Sequence, residues 1–576
     1  MAPRVAALRR PILIALFLTG AGLRAIDLWH PVDGTIREPW RECDVASIAR
    51  NFYREDARFL YPRIDWRGDG PGYAEMEFPV TPWAISVLYR VFGFHEVAGR
   101  ILVYGFALLS LGIFFRLAAY LLPPGGAIAA SLFFVLSPLA VRISNTLQPD
   151  GLMFLTYVLA VYAFVRWLDG GRWRDYTLAL LATALTILAK ASAAHLGVLF
   201  AVLLLWRQGW VGFRQVRVWA LAVLSLAPAL AWYAHAHGFW THYGNSLGLS
   251  NEYHWIGWDF FTNPAFVRNI LASDVFLVWM PTGLLVATFG IIMRFHEKAT
   301  RIALAWMGAV AIFYAVASRT TGDAWAVYYH VVSVPAVALL FGVGVEALAA
   351  GRWRPTRMVL ALGIVTVVVA VAVLRLAHLD LGYESGLRFV PVVVAAAAAF
   401  AALVLLVRRR AVSAPEGTPA PTAFSMQFVA LPVSFLVPLT FALQLNQIRV
   451  QARPDFMRGA YDCARQFAPL IPRGSLVLEG GAECYDQDGY PVAHNEPFMF
   501  YWLDRKGFNL CNEEQSLRAV AALRARGARF YMVKKVSLHH QPGYEHALRA
   551  TYPVLSECTE FLLFSLEPRA AQAGSP

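Results

Sequence analysis

The run DYTLALLATALTILAKASAAHLGVLFAVLLLW, residues 175–206, decides how this chain folds. Between Tyr176 and Trp206 it carries one full charge, Lys190. As a single helix it would rise about 48 Å at ~1.5 Å per residue, well beyond the ~30 Å hydrocarbon core of a bilayer. Divided in two, it gives helices of about 16 residues, short of the ~20 that span comfortably. The flanks choose between these. Arg172 and Arg174 precede the run, and Arg207, Arg214 and Arg217 follow it. Short basic loops stay on the cytoplasmic side, so both ends belong on one side. The chain must turn back, and the break is expected near Lys190, at the opposite face.

The same logic extends outward. Of 576 residues, 58% are hydrophobic and 15% are charged, against roughly 25% charged in a soluble protein. Apolar runs are expected to span at 11–26, 96–118, 124–140, 151–167, 175–189, 193–206, 218–236, 275–293, 301–317, 330–349, 357–375, 389–407 and 425–445, about thirteen in all. With Met1 in the cytoplasm, the loops 116–124, 166–174, 207–217, 294–301, 352–357 and 408–410 fall on that side, and nearly all are basic. The first run follows Arg4, Arg9 and Arg10 but ends without a small-residue cleavage site, so it reads as a retained anchor. Thr81 to Phe94 contains Arg90 and is too short to span; it is expected as an interfacial helix on the outer face. The net charge of +12 resides in the loops and is no nucleic-acid footprint. Residues 411–422 read as a Pro/Ala/Ser/Thr linker on the inner side.

Three outer segments are long: 29–82, 237–274 and 450–576. The fold expected is a polytopic α-helical membrane domain, 1–449, followed by a small extracytoplasmic α/β domain, 450–576. Strands are expected at Gly474–Leu478, Arg529–Val533 and Glu560–Phe564, with a helix capped by Asn512-Glu513-Glu514 and running to about Arg526. The five cysteines, Cys43, Cys463, Cys484, Cys511 and Cys558, all fall on the outer side, where disulfides persist. The four in the C-terminal domain allow three pairings or free thiols, and no Cys-x-x-Cys pair suggests zinc.

Acidic residues converge on the outer face. Val45 to Phe52 forms an amphipathic helix, with Val45, Ile48, Ala49 and Phe52 on one side and Asp44, Ser47 and Asn51 on another. Asp44 reads either as a helix cap or as a functional carboxylate. Glu75 and Glu77 lie in a Gly/Pro-rich loop, and Asp150 sits where the chain re-enters the membrane; solvated acids and an N-cap are the plain alternatives. A lysine at mid-membrane costs about 2.5–3.5 kcal/mol; at the turn of the hairpin Lys190 reaches the outer face, where that cost falls and it either pairs with an anionic head group or simply snorkels. Arg319, Tyr329 and His330 flank a further outer loop and could donate to a phosphate, though Tyr328 also suits an aromatic belt. His242, Tyr253, His254, Trp255 and Asp259 could line a saccharide wall or anchor the interface. Gly342-Val343-Gly344 lies inside an apolar span and follows no strand, so it is no dinucleotide signal.

Together these motifs resemble the bacterial GT-C glycosyltransferases, the superfamily of protein O-mannosyltransferases and of the aminoarabinose transferase that modifies lipid A. The likeness covers about the first 350 residues well and the rest by topology. Asp44 stands where that family has an acidic residue after the first span. Its Glu-Lys-Pro-Pro-like element reads Glu77-Phe78-Pro79-Val80, its Pro-Asp element Pro149-Asp150, its Leu-Thr-Lys-Gly element Leu188-Ala189-Lys190-Ala191, and its His-Tyr-Tyr-like element Tyr328-Tyr329-His330 with Pro335. The resemblance implies a polyprenyl-phosphate sugar donor and inverting transfer to a glycolipid, glycan or protein hydroxyl outside the cytoplasm, at the bacterial inner membrane. With such a donor, Asp44 is expected as general base, Glu77 and Asp150 as orienting the acceptor or a divalent metal, and Lys190, Arg319, Tyr329 and His330 as meeting the donor phosphate. No cofactor is certain; acid clusters of this kind can bind a divalent ion, but the spacing does not demand one. Phe78 departs from the pattern: relatives place there a lysine associated with that phosphate, whose part would fall to Lys190, Arg319 or an arginine such as Arg50. A transporter or flippase would predict paired repeats, which are not evident. A polysaccharide polymerase or ligase would place its key residues in a large mid-chain loop. A scaffold would act through 450–576.

Overall fold

A computed structural model describes residues 2–34, 39–251, 262–323, 326–350, 387–412, 421–451, 457–486, 489–493 and 495–567. In chain order the first half holds α1 (Ala2–Arg24), α2 (Pro39–Arg54), α3 (Val80–Phe92), α4 (Glu96–Leu121), α5 (Pro124–Val135), α6 (Pro138–Arg142), α7 (Asp150–Gly170), α8 (Trp173–Ala189), α9 (Leu196–Gln208) and α10 (Val216–Tyr243). It continues with α11 (Pro264–Ser273), α12 (Pro281–Met293), α13 (Lys298–Val316), α14 (Ser318–Thr321), α15 (Val334–Ala350), α16 (Val390–Val412) and α17 (Pro421–Gln451).

The chain is a polytopic α-helical membrane protein; the expected count of about thirteen spans is not confirmed among the described residues. Among the described residues seven helical segments are long and apolar enough to cross a bilayer, or eight if Pro264–Trp279 and Pro281–Met293, which meet at 81°, make one span. Two features bear on the count. The run 124–140 is split: α5 has 12 residues, and Ser137 then caps α6 by accepting from the Ala140 N–H, with Pro138 opening the new helix. The span expected at 357–375 and most of the linker 411–422 lie outside the described residues, as do Tyr253, His254, Trp255 and Asp259.

The break near Lys190 is present. α8 stops at Ala189, Lys190 is extended at φ −159° and ψ 114°, and a 3₁₀ turn, Ala191–His195, leads into α9. The donors freed by the break find partners. Lys190 N–H still reaches the Thr186 carbonyl at 3.0 Å, and Ala191 N–H donates to the Tyr233 hydroxyl on α10 at 3.1 Å. An apolar surround would make an unpaired donor costly.

The loop after α1 is not a surface feature. In α2, both the apolar residues Val45, Ile48, Ala49 and Phe52 and the polar residues Asp44, Ser47 and Asn51 are buried. The expected flat interfacial helix is instead enclosed between the bundle and the C-terminal residues that bear the sheet. α3, 13 residues long, packs against α2 through Ile85 and Tyr89.

The C-terminal part contains α18 (Arg458–Phe467), β1 (Leu476–Gly480), α19 (Pro497–Leu503), β2 (Lys506–Leu510), α20 (Leu517–Ala525), β3 (Ala528–Lys534), α21 (Tyr544–Thr551), β4 (Val554–Glu557) and β5 (Phe561–Ser565). The sheet order is β2-β1-β3-β5-β4, with β1 parallel to both neighbours and β5 antiparallel to β3 and β4. Two of its strands, β2 and β4, were not expected. β2 contains Lys506, Gly507 and Asn509, which weaken a strand pattern. The helix expected from Asn512 begins later: Ser516 caps α20 by accepting from the Ala519 N–H at 3.1 Å, while Asn512 bonds Ser537 and Gln515. The open pairing resolves as Cys463–Cys558 and Cys484–Cys511, leaving Cys43 free and buried. One apolar cluster joins Val45, Ala46 and Ala49 of α2 to Ala460, Phe467, Phe498, Met499 and Leu563 across the two regions.

Candidate active site

α2 sets the geometry. Arg41 and Asp44, three residues apart, share a helix face. Other groups lock the helix about its axis. Glu42 accepts from both terminal guanidinium nitrogens of Arg100 on α4, at 2.9 and 3.3 Å, and from the Leu147 N–H at 2.9 Å. Arg50 ion-pairs with Asp65 and donates to the Tyr501 carbonyl at 3.0 Å.

Asp44 is 1% exposed, and its Oδ1 accepts from the Trp66 indole N–H at 3.0 Å. Burial pushes its carboxyl up to about 7, against the opposing pull of Arg41 and of the Trp66 hydrogen bond. It lies well inside α2, so the cap reading fails. Arg41 ion-pairs with Glu77. Burial opposes the guanidinium charge, yet Glu77 and then Asp44 outweigh it and hold Arg41 above its ordinary range.

A second pair completes the group. Lys190 Nζ donates to Asp150 Oδ1 at 2.6 Å and stands 4.5 and 3.9 Å from the ring centres of Tyr328 and Tyr329. Asp150 opens α7 but directs its carboxylate to Lys190 rather than to its own helix. Phe78 N–H donates to the Leu188 carbonyl at 3.2 Å, which fastens Glu77 beside the Lys190 break. Glu77 acts electrostatically on both Lys190 and Arg41. Asp44, Glu77, Asp150, Lys190 and Tyr329 thus meet in one buried cluster.

Two expected phosphate ligands stand elsewhere. His330 is fully buried; Nδ1 lies 2.7 Å from Asp274 Oδ1 and Nε2 lies 2.8 Å from the Thr321 carbonyl. Arg319 pairs with Asp486 at 3.2 Å and stacks over Tyr490, bridging to the loop that follows β1. Arg50, the other suggested substitute, is occupied by Asp65 and Asp504. Glu75 is no solvated loop acid: it is buried, and it accepts from Ser246 at 2.6 Å and Ser250 at 3.0 Å beside His237.

Sequence reasoning overlooked Arg41, Trp66 and Tyr233. Arg41 was legible as the i−3 neighbour of Asp44 on the same helix face. Trp66 and Tyr233 reach the site only through the tertiary fold.

The cluster does not suit a divalent ion at Glu77 and Asp150, because each carboxylate already faces a cation. Among the described residues one group of three metal-capable side chains occurs, Cys484, Cys511 and Glu513, and its cysteines are joined in a disulfide.

Residues 71–234 match the family model described as dolichyl-phosphate-mannose-protein mannosyltransferase. That stretch includes Glu77, Asp150 and Lys190 but not Asp44. No curated protein matches the chain in sequence. In fold the chain is similar to ArnT from Cupriavidus metallidurans in the apo state, with TM-score 0.58, 16% identity and coverage of 96% of this chain and 97% of that one. It is similar too to the same protein bound to undecaprenyl phosphate, with TM-score 0.56, 16% identity and full coverage of both chains. Its motifs, its match over 71–234 and its architecture agree: the chain is a membrane protein of the GT-C glycosyltransferase fold, resembling the protein O-mannosyltransferase and aminoarabinose transferase-like superfamily.

Proposed function

We propose that the protein transfers a sugar from a polyprenyl-phosphate donor to an acceptor hydroxyl of a glycolipid, glycan or protein, with inversion at the anomeric carbon. The observation that carries this reading is the buried cluster itself. It sets a carboxylate poised near neutrality, Asp44, beside Arg41, whose partner Glu77 also acts on Lys190, in a GT-C fold. A relative of that fold binds undecaprenyl phosphate, which supports a lipid-phosphate donor here.

In the proposed step, ionised Asp44 takes the proton of the acceptor hydroxyl as its oxygen attacks the anomeric carbon. The bond from that carbon to the phosphate oxygen breaks, and the lipid phosphate leaves with the electron pair and one more negative charge. General-base help is worth roughly 10²–10⁴-fold. Lys190, held by Asp150, opposes the growing charge on the phosphate. Tyr329 packs against Lys190 and fixes its direction, while Glu77 and Asp150 orient the cations and the acceptor. The roles first expected of Arg319 and His330 pass to positioning of the neighbouring loop.

The proposed setting is the bacterial inner membrane, with the N-terminus cytoplasmic and the 450–576 domain extracytoplasmic. Basic loops on one side and disulfides in the C-terminal domain support that orientation. The test is sugar transfer by purified D44N from a polyprenyl-phosphate sugar. Loss of turnover with normal melting is expected; near-normal turnover would refute the assignment of the base.

A further inference from the structure

We propose that Arg41 supplies the donor-phosphate cation that position 78 lacks; this rests on the transferase reading above. Phe78 cannot do so. Its ring packs edge-on against Phe59 and Trp232, with centroids at 5.0 and 5.2 Å, and its N–H is tied to Leu188. The aromatic packing fills the surroundings of position 78 with apolar surface.

Two cations remain in the cluster, and they differ in what they can offer. Lys190 is a point charge engaged by Asp150 and faced by two tyrosine rings. Arg41 presents a planar fork. Among the described residues it makes one hydrogen bond, through Nη2 to Glu77. The guanidinium edge formed by the other nitrogens suits the paired oxygens of a phosphate. Arg41 is one turn before Asp44 on the same face of α2. A phosphate held there would bring the adjoining anomeric carbon towards the proposed base. Tyr328 and Tyr329 act electrostatically on Arg41, and the same two rings face Lys190, so both cations stand near the same pair of tyrosines.

The cation has in effect moved from the loop to the helix. Glu77 holds it there: the carboxylate keeps Arg41 charged and directed. The arrangement predicts that Arg41 acts on donor binding and that Asp44 acts on turnover.

The experiment measures equilibrium binding of undecaprenyl phosphate to the full-length protein in detergent. R41Q is expected to weaken binding about tenfold or more, consistent with loss of a charge-assisted contact, and R41K to weaken it less. The double variant R41Q/E77Q removes both members of the ion pair, so no carboxylate is left uncompensated; it should show the same loss at an unchanged melting temperature. D44N should still bind undecaprenyl phosphate measurably while its turnover is lost. Undiminished binding by R41Q/E77Q, with D44N also binding, overturns the role of Arg41 alone. Absence of binding by the wild type overturns the transferase reading with it.

Discussion

Replacing Trp66 with phenylalanine should shift the pH dependence of sugar transfer without damaging the site. The indole N–H donates to Asp44 Oδ1 at 3.0 Å, and it is one of two influences that hold down a carboxyl raised to about 7 by burial. A hydrogen bond to a charged group is worth about 1.5–3 kcal/mol, or roughly one to two pH units at ~1.4 kcal/mol per unit. The base must be ionised, so wild-type kcat/KM should rise with pH through about 7. In W66F that rise should move to about 8–9. At pH 7 the ionised fraction would fall from about one half to between ~9% and ~1%, a loss of roughly 5- to 50-fold in kcat/KM. Above the new limb the variant should regain most of its activity. The assay is initial-rate transfer from a polyprenyl-phosphate sugar between pH 5.5 and 10. An unmoved limb, or a loss that high pH does not restore, would refute Asp44 as the titrating base.

Lys190→Met should raise the donor KM sharply, and K190M/D150N should fold better than K190M because a buried unpaired carboxylate costs about 3–5 kcal/mol; unchanged donor dependence would restore the snorkelling reading. Glu479, buried on β1 and facing Glu496, has its carboxyl pushed well above the usual range, first by burial and then by Glu496, with Lys534 opposing. The folded state therefore holds a proton that the unfolded chain loses above about 4.5, so this stability is present below that pH and is lost as pH rises through the raised value. Glu479→Gln should abolish that dependence, and thermal melts from pH 4.5 to 9 should show the variant gaining on wild type as pH rises. Removing Cys463–Cys558, which closes 95 residues, should cost about 4–5 kcal/mol in C463S/C558S, read as a lower melting temperature of the C-terminal domain.

Much of this architecture was written locally. The turn at Lys190 followed from run length and basic flanks, and the helix bearing Asp44 from its apolar spacing. Asp150, Lys190 and Glu77 could be placed on one face because topology needs only the parity of the spans. What was not legible was pairing. Asp150 looks like an N-cap from position alone, and only the fold turns it towards Lys190. His330 looked like a phosphate ligand as a donor in the Tyr328-Tyr329-His330 element, but its ring turns inward to Asp274. Individual spans were harder to place for a related reason: run length cannot show that Ser137-Pro138 interrupts one apolar segment or that Met280-Pro281 bends another by 81°.

The burial of α2 changes what the C-terminal domain is for. One face of this helix bears Arg41 and Asp44; the rest is held by Arg100 from the bundle and by Asp65, Tyr501 and the sheet's apolar underside. Further ties cross at Tyr501 to Glu96, 2.6 Å, and at Trp502 to the Val32 carbonyl, 2.7 Å. An independent partner-recruiting module would need none of these contacts. Deleting 450–576 would therefore strip one wall from α2 and strand Arg50 beside Asp65 with its Tyr501 contact gone. Activity should vanish although every proposed site residue remains in the chain. Arg50→Ala offers the finer version: Arg50 is 5% exposed, and removing it leaves Asp65 buried without its cation, at a cost of about 3–5 kcal/mol. If R50A lowers the melting temperature and transfer falls with it, while D44N lowers transfer alone, the domain acts by holding the helix. If R50A melts and transfers as wild type does, the domain's part in the site must be sought elsewhere.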